Sequence, residues 1–320
     1  MRILTVGAGA AGGYFGARLA RAGEDVTFLV RPRRAEVLRA RGLRVSGPGE
    51  EIAFAPRLVT ADALEGADAP EGAGPREGAY DLVLLSVKST SLEAAVRDLA
   101  PAVGPGTAIL PLLNGMAHLD HLADRFGDAA VLGGVAKVVT TLNEHGDILR
   151  MAPPTVVLTG ERDGRPSERV DAIRAVLAGA GIDSPEVPDI VGAMWHKWVF
   201  ITTLVAVTSL ARGAVGEINA VPGGTGFGLA VLAEAAAVSA AAGYPVPEPE
   251  LAFTARTLAA PDSPLTPSLY RDLLAGHPTE VEHVLGDLSA RARGLGVPTP
   301  FLDLAALQLR VHQTRVTAGE

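Results

Sequence analysis

One string constrains this chain more than any other. Gly7-Ala8-Gly9-Ala10-Ala11-Gly12 follows directly on the apolar run 3–6 and precedes a run of helical period over 14–22. Such spacing has a geometric meaning. Gly7 permits a tight turn, Gly9 lets a pyrophosphate approach the backbone, and Gly12 lets helix and strand pack closely, with the helix N-terminus facing the phosphates. G-x-G-x-x-G alone is a weak pattern; the strand before it and the helix after it make it a dinucleotide fingerprint.

The second strand, predicted over 26–30, narrows the choice of dinucleotide. Enzymes that take NAD place an acid at the end of that strand, where it holds the ribose hydroxyls. Here the order is Phe28-Leu29-Val30-Arg31-Pro32-Arg33-Arg34. A guanidinium at Arg31 suits a 2′-phosphate, with no carboxylate to repel it, so the expected cofactor is NADPH rather than NADH. The alternative for Arg31 is an exposed loop residue without a ligand.

Short Val/Ile/Leu runs alternate with Ala/Leu/Arg segments, the pattern of a parallel sheet covered by helices. Strands are predicted over 3–6, 26–30, 82–86, 108–112 and 130–132, then over 136–141 and 155–158, with a helix over 167–179. The stretch 64–80, rich in Gly, Ala, Pro and acidic residues, reads as a surface loop. Beyond residue 189 the alternation stops. Ala/Leu/Val-rich segments over 191–212, 228–243 and 281–294, and one over 300–314 introduced by Pro298 and Pro300, predict helices. The expected fold class is α/β: a Rossmann-type parallel-sheet domain over 1–188, followed by an all-helical C-terminal domain over 189–320.

A formal net charge of −8 over 320 residues argues against a grip on nucleic acid or anionic lipid, which needs a clustered Lys/Arg excess. The chain has no cysteine, which excludes disulfides, thiolate metal sites and cysteine nucleophiles. Its N-terminus runs into glycines after a handful of apolar residues. The longest apolar run, 199–211, is broken by Thr202, Thr203, Thr208 and Ser209 and falls short of the roughly 20 residues that span a bilayer. The expectation is a cytoplasmic protein with a small-molecule partner and neither nucleic acid nor membrane. Ala-rich helices such as 229–242 can pack against a second copy, which leaves a homodimer open. His118 and His121 lack a third ligand pattern nearby and read as surface or capping residues rather than a zinc site.

In order along the chain stand GAGAAG at 7–12, VLLSVKS with Lys88, LLNGM with Asn114 and Gly115, MWHKW with Lys197, GEI at 216–218, and SLYRDLLAGHPTEVEHVLG at 268–286. Together they resemble the ketopantoate reductase (2-dehydropantoate 2-reductase) family of pantothenate biosynthesis, over nearly the whole chain. The resemblance implies a Rossmann domain with a helical C-terminal domain and NADPH-dependent reduction of 2-dehydropantoate to pantoate. It also implies roles. Lys197 matches the general acid that protonates the keto oxygen, Glu280 the acidic partner that holds lysine and substrate, and Ser268 a serine that binds the substrate carboxylate. The chemistry asks for such a lysine: hydride addition builds charge on oxygen, which an ammonium stabilises and protonates. Asp272 reads as structural and Glu282 as solvated. Lys88 and Asn114 follow successive strands at their carboxyl ends, where open α/β sheets bind ligands, and both read as contacts to nicotinamide, ribose or substrate.

The sequence departs from the family pattern beside Lys197. Two asparagines, four and eight residues after the family's lysine, are Ile201 and Val205 here. At about 100° per residue they share a helix face with Lys197, so the substrate wall becomes mostly apolar. Three readings stay open. The first is a ketopantoate reductase in which Thr202, Thr203 or Thr208 replaces the amides. The second is a related NADPH-dependent reductase of a more hydrophobic 2-oxo acid or ketone. The third is a module that senses NADPH without turnover, which would need Gly7, Gly9, Gly12 and Arg31 but neither Lys197 nor Glu280.

Overall fold

Apolar runs with no polar alternation must be covered on both faces, and in the computed structural model, which describes residues 1–65 and 80–318, they form a central parallel sheet. Contacts divide the chain into two units: Met1–Leu113 with His118–Val191, and Asn114–Ala117 with Gly192–Glu320. The strands of the first unit are β1 (Arg2–Val6), β2 (Asp25–Leu29), β3 (Leu43–Gly47), β4 (Glu50–Phe54), β5 (Arg57–Val59), β6 (Leu82–Leu85), β7 (Ala108–Pro111), β8 (Gly133–Leu142) and β9 (Ile148–Gly160). Its helices are α1 (Ala10–Arg21), α2 (Pro32–Arg41), α3 (Ala61–Glu65), α4 (Leu92–Leu99), α5 (Ala117–Phe126, in this unit from His118) and α6 (Glu168–Gly179).

The parallel sheet runs β5-β2-β1-β6-β7. Strand order reverses direction at β1, so the ends of β1 and β6 flank a topological switch point, the place where such sheets receive ligands. A second sheet, β4-β3-β9-β8, pairs β3 parallel with β9 and is otherwise antiparallel. Helix α1 packs on β1 and β2 of one sheet and on β3, β4, β8 and β9 of the other. Its residues Gly12, Gly13, Tyr14, Phe15, Gly16 and Ala17 are all buried. Small residues make this fit: a β-carbon at Gly13 would lie 2.7 Å from Ile148 Cδ1, and one at Gly16 2.5 Å from Phe28 Cε1.

Several expectations need correction. Strands β3 and β4 are absent from the sequence reading because they are short and half-exposed. The strand expected over 130–132 is a 3₁₀ turn, Asp128–Ala130, followed by a single bridge between Ile109 and Val131. The strands expected over 136–141 and 155–158 are parts of the longer hairpin β8–β9. His118, expected at the surface, is fully buried on α5. Of the loop expected over 64–80, residues 66–79 lie outside the described residues, while Leu64 and Tyr80 are buried.

The second unit is helical: α7 (Ile190–Ala211, entering this unit at Gly192), α8 (Val215–Asn219), α9 (Gly224–Ala241), α10 (Glu248–Leu258), α11 (Ser268–Leu274), α12 (Asp287–Gly294) and α13 (Pro300–Ala318). Helix α9 touches α8, α10, α12 and α13. Helix α7 matches the helix expected over 191–212 to within one residue at each end. Both α7 and α9 are long and apolar enough to cross a membrane by length and composition, but α7 is a core helix, with 67% of its most apolar stretch buried. The helix expected over 281–294 starts instead as a π-helical turn, Glu282–Gly286, before α12. At that turn the Val284 carbonyl accepts hydrogen bonds from Trp198 Nε1 (2.8 Å) and Thr202 Oγ1 (3.3 Å) of α7.

Candidate active site

In the first unit the glycine loop sits where β1 ends beside β6. Gly7 has φ +94, and a β-carbon there would lie 2.6 Å from the Ser86 carbonyl oxygen. At Gly12 a β-carbon would collide with the Gly7 carbonyl. Both positions are closed to any side chain. Gly9 differs: it is extended (φ −83, ψ −165) at the N-cap of α1, and no atom lies within 4 Å of where its β-carbon would be. No side chain caps α1, so its first-turn amides face that open space with the positive end of the helix dipole behind them. Such an arrangement suits an anion, and a dinucleotide's pyrophosphate fits it.

Arg31 is exposed at the N-cap of α2, two residues beyond the end of β2 at Leu29. Its Nη2 donates to Ser91 Oγ at 2.7 Å. Lys88, exposed beyond the end of β6, opens the 3₁₀ turn Ser89–Ser91, and its carbonyl accepts from the Ser91 amide (2.9 Å). Ser91 therefore ties the ends of the second and sixth strands together. It was not singled out from the sequence, where its only signal is its place three residues after Lys88.

In the second unit Lys197 and Ile201 are half-buried on α7, and Val205 is fully buried one turn further along. The rings of Trp195 and Trp198 lie 5.0 Å apart, with the Arg291 guanidinium over both, at 5.8 and 5.7 Å. This packing fixes the turn of helix that carries Lys197. The three threonines considered as stand-ins for amides are fully buried, and their hydroxyls are committed to backbone carbonyls. Thr202 donates to Val284, Thr203 to Val199 (2.8 Å) and Thr208 to Leu204 (2.7 Å). They give the Lys197 face no replacement for the missing amides.

Asn114 belongs by its contacts to the second unit, with Gly115. Gly115 has φ +78, and a β-carbon on it would lie 2.5 Å from the His283 carbonyl oxygen. The His283 ring hydrogen-bonds the Asn114 backbone. Burial holds the pKa of this imidazole below its ordinary value, against the raising influence of the Glu280 and Asp287 carboxylates and of that hydrogen bond. Glu280 itself is half-buried just ahead of the π turn, where its carbonyl accepts from the Val284 amide (3.1 Å). The amide of its neighbour Thr279 donates to Gln313 Oε1 at 2.8 Å, anchoring the segment to α13. Ser268 is the exposed first residue of α11. Glu282, expected to be solvated, is exposed and pairs with Arg310 at 2.6 and 2.7 Å, which holds its carboxyl below the ordinary carboxylate range. His283 and Gln313 were not read from the sequence, because nothing local marks them.

The comparisons with known proteins agree with this geometry. The model of the family described as ketopantoate reductase PanE/ApbA matches residues 3–164, and that of its C-terminal part matches residues 189–313. A 2-dehydropantoate 2-reductase of Archaeoglobus fulgidus is 30% identical over 297 residues, covering 92% of each chain. The chain belongs to the ketopantoate reductase family. The uncharacterized oxidoreductase YkpB of Bacillus subtilis is 29% identical, over 98% of this chain and 99% of that protein. The crystal structure of a 2-dehydropantoate 2-reductase from Geobacter metallireducens GS-15 superposes with a TM-score of 0.85 at 27% identity, covering 97% of this chain and 99% of that one. As a ketopantoate reductase family member the chain is an oxidoreductase acting on a CH–OH/C=O pair, reducing a 2-oxo acid with a nicotinamide cofactor.

Proposed function

We propose that the chain reduces a 2-oxo acid with NADPH, Lys197 supplying the proton, and that 2-dehydropantoate, reduced to pantoate, is its substrate. The observation that carries the reading is Lys197 itself: a half-buried ammonium on a largely apolar helix, locked in place by the Trp195, Trp198 and Arg291 packing. Keeping a cation there costs solvation, and a role at a developing oxyanion explains the cost. NADPH supplies the hydride. The chain's residues do the rest: Gly7, Gly9 and Gly12 admit the pyrophosphate, Arg31 receives the 2′-phosphate, and Lys88 and Asn114 orient nicotinamide, ribose or substrate. Lys197 Nζ donates to the keto oxygen, Glu280 orients the ammonium, and the Ser268 hydroxyl donates to the substrate carboxylate. The exposed Arg31 at the α2 N-cap supports NADPH over NADH, since it offers a fork of donors and no acid stands beside it in the sequence.

A second reading, reduction of a more hydrophobic 2-oxo acid or ketone, is favoured by one specific observation. Ile201 and Val205 line the Lys197 face, and the neighbouring threonine hydroxyls are already spent on backbone. A wall built without hydrogen-bond partners discriminates poorly in favour of a substrate hydroxyl. NADPH consumption with 2-dehydropantoate, set beside a panel of apolar 2-oxo acids and ketones, separates the readings. Turnover of 2-dehydropantoate at an ordinary rate supports the first and turnover of apolar carbonyls alone supports the second. NADPH binding without any turnover would leave only the sensor.

A further inference from the structure

Arg34 lies one turn into α2, half-buried, and reaches back to the glycine loop. Its Nε donates to the Ala8 carbonyl (3.2 Å) and its Nη2 to the Gly146 carbonyl (3.0 Å). Among the described residues its hydrogen-bond partners are thus backbone carbonyls rather than carboxylates. Burial disfavours the charge and lowers the pKa of Arg34 from the ordinary arginine value, while Asp147 acts in the opposite sense. The Asp147 carboxylate is itself taken by Arg41 of the same helix, at 3.1 Å.

Gly146 lies in the turn between β8 and β9, and that turn is built to present its carbonyl. Asn143 Oδ1 accepts from the amides of His145 (3.0 Å) and Asp147 (2.9 Å), and the Gly146 amide donates to the Asn143 carbonyl (2.9 Å). Gly146 has φ +79, and a β-carbon there would lie 2.5 Å from Arg34 Nη1. The glycine is needed twice, for its conformation and for the guanidinium lying against it.

We propose that Arg34 and the β8–β9 turn form a brace that positions the glycine loop for a dinucleotide's phosphates, whichever dinucleotide is bound. A bare carbonyl at Ala8 would repel an approaching phosphate; the Arg34 N–H satisfies it and sets a cation beside the loop. Arg34 differs from Arg31 in what it serves. Arg31, exposed at the start of α2, is read as the choice between NADPH and NADH, whereas the loop held by Arg34 is common to both. The inference rests on the proposal that the glycine loop binds the cofactor.

Fluorescence titration of the full chain with NADPH and with NADH tests it. Arg34→Met is expected to raise both dissociation constants by the same factor, about tenfold, the worth of a charge-assisted hydrogen bond. The loss falls on dissociation constant and KM more than on turnover at saturation. Arg34→Lys recovers part of the loss, since it restores the charge without the fork. Gly146→Ala, more than a hundred residues away in sequence, reproduces the effect, and the double variant is no worse than Arg34→Met. Gly49→Ala is the control for strain: φ is +71, but no atom lies within 4 Å of the added carbon, and cofactor affinity is expected to stay at the parent value. Unchanged affinity in Arg34→Met, a loss confined to NADPH, or additivity of the two variants would overturn the brace. A parent chain that binds neither dinucleotide would instead remove the reading on which the brace rests.

Discussion

The glycine loop of the first unit and the Lys197 face of the second are built from different materials. The loop works because side chains are missing: a β-carbon at Gly7 or Gly12 strikes backbone, and the donors it offers are main-chain amides at the start of α1. The Lys197 face works through side chains, which α7 displays without needing any one of them to keep its own shape. Ile201 and Val205 therefore sit in an intact helix where the family pattern has amides. The contrast teaches that a backbone-built site is conserved or lost as a whole, while a side-chain site can change what it accepts and keep its fold.

Four variants sharpen or break that contrast. Lys197→Ala has the largest expected effect, a fall in turnover of about 10²- to 10⁴-fold, with NADPH affinity by fluorescence titration changing far less. Unchanged turnover would remove Lys197 from the chemistry and leave the second unit without a proton donor. Next comes Arg31→Asp, for which the NADPH-to-NADH preference in KM is expected to fall by about tenfold or more as a carboxylate meets the 2′-phosphate. Equal preferences in parent and variant would show that the 2′-phosphate is read elsewhere.

Joint replacement of Ile201 and Val205 by asparagine is expected to raise kcat/KM for 2-dehydropantoate relative to an apolar 2-oxo acid. It should also cost about 1–3 kcal/mol of stability if the amide at the fully buried position 205 finds no partner. No gain in that ratio would mean that specificity is set away from α7. The smallest effect concerns His283. Its folded-state pKa lies below the ordinary 6.5, so below that pH the unfolded chain takes up the proton first. The stability contributed by the neutral imidazole is complete above pH 6.5 and declines as pH falls from there toward the folded pKa, by at most about 1.4 kcal/mol per pH unit. Melting curves of the parent and His283→Asn should converge or cross as pH falls from about 7 to about 5; parallel curves would contradict the assignment.

What the sequence made legible follows from the same contrast. Strands β1, β2, β6 and β7 are buried on both faces, so they stand out as unbroken apolar runs, and the glycine string marks its own turn. Strands β3 and β4 are short, alternating and half-exposed; they pair with each other locally, but the sheet they join is reached only through the pairing of β3 with β9, more than ninety residues away, which no local pattern reports. The π turn at Glu282–Gly286 keeps the apolar spacing of an α-helix and is equally silent. Among site residues, Lys197, Glu280, Ser268, Lys88 and Asn114 came with motifs. Arg34 stood in the arginine-rich string after the second strand, but its carbonyl partners did not show there, and Ser91, His283 and Gln313 came only with contacts: each meets a partner fixed by tertiary structure.

Helix α1 offers one last consequence. Because it is enclosed by a sheet on either side, its central amides have no route to solvent through fraying or a local hinge; at least one sheet must come away first. Amide hydrogen exchange along residues 13–17 should consequently track the opening of the whole first unit. The uncapped amides at the outward tip of the loop take up deuterium early, so fast and slow exchange meet within one turn of the same helix.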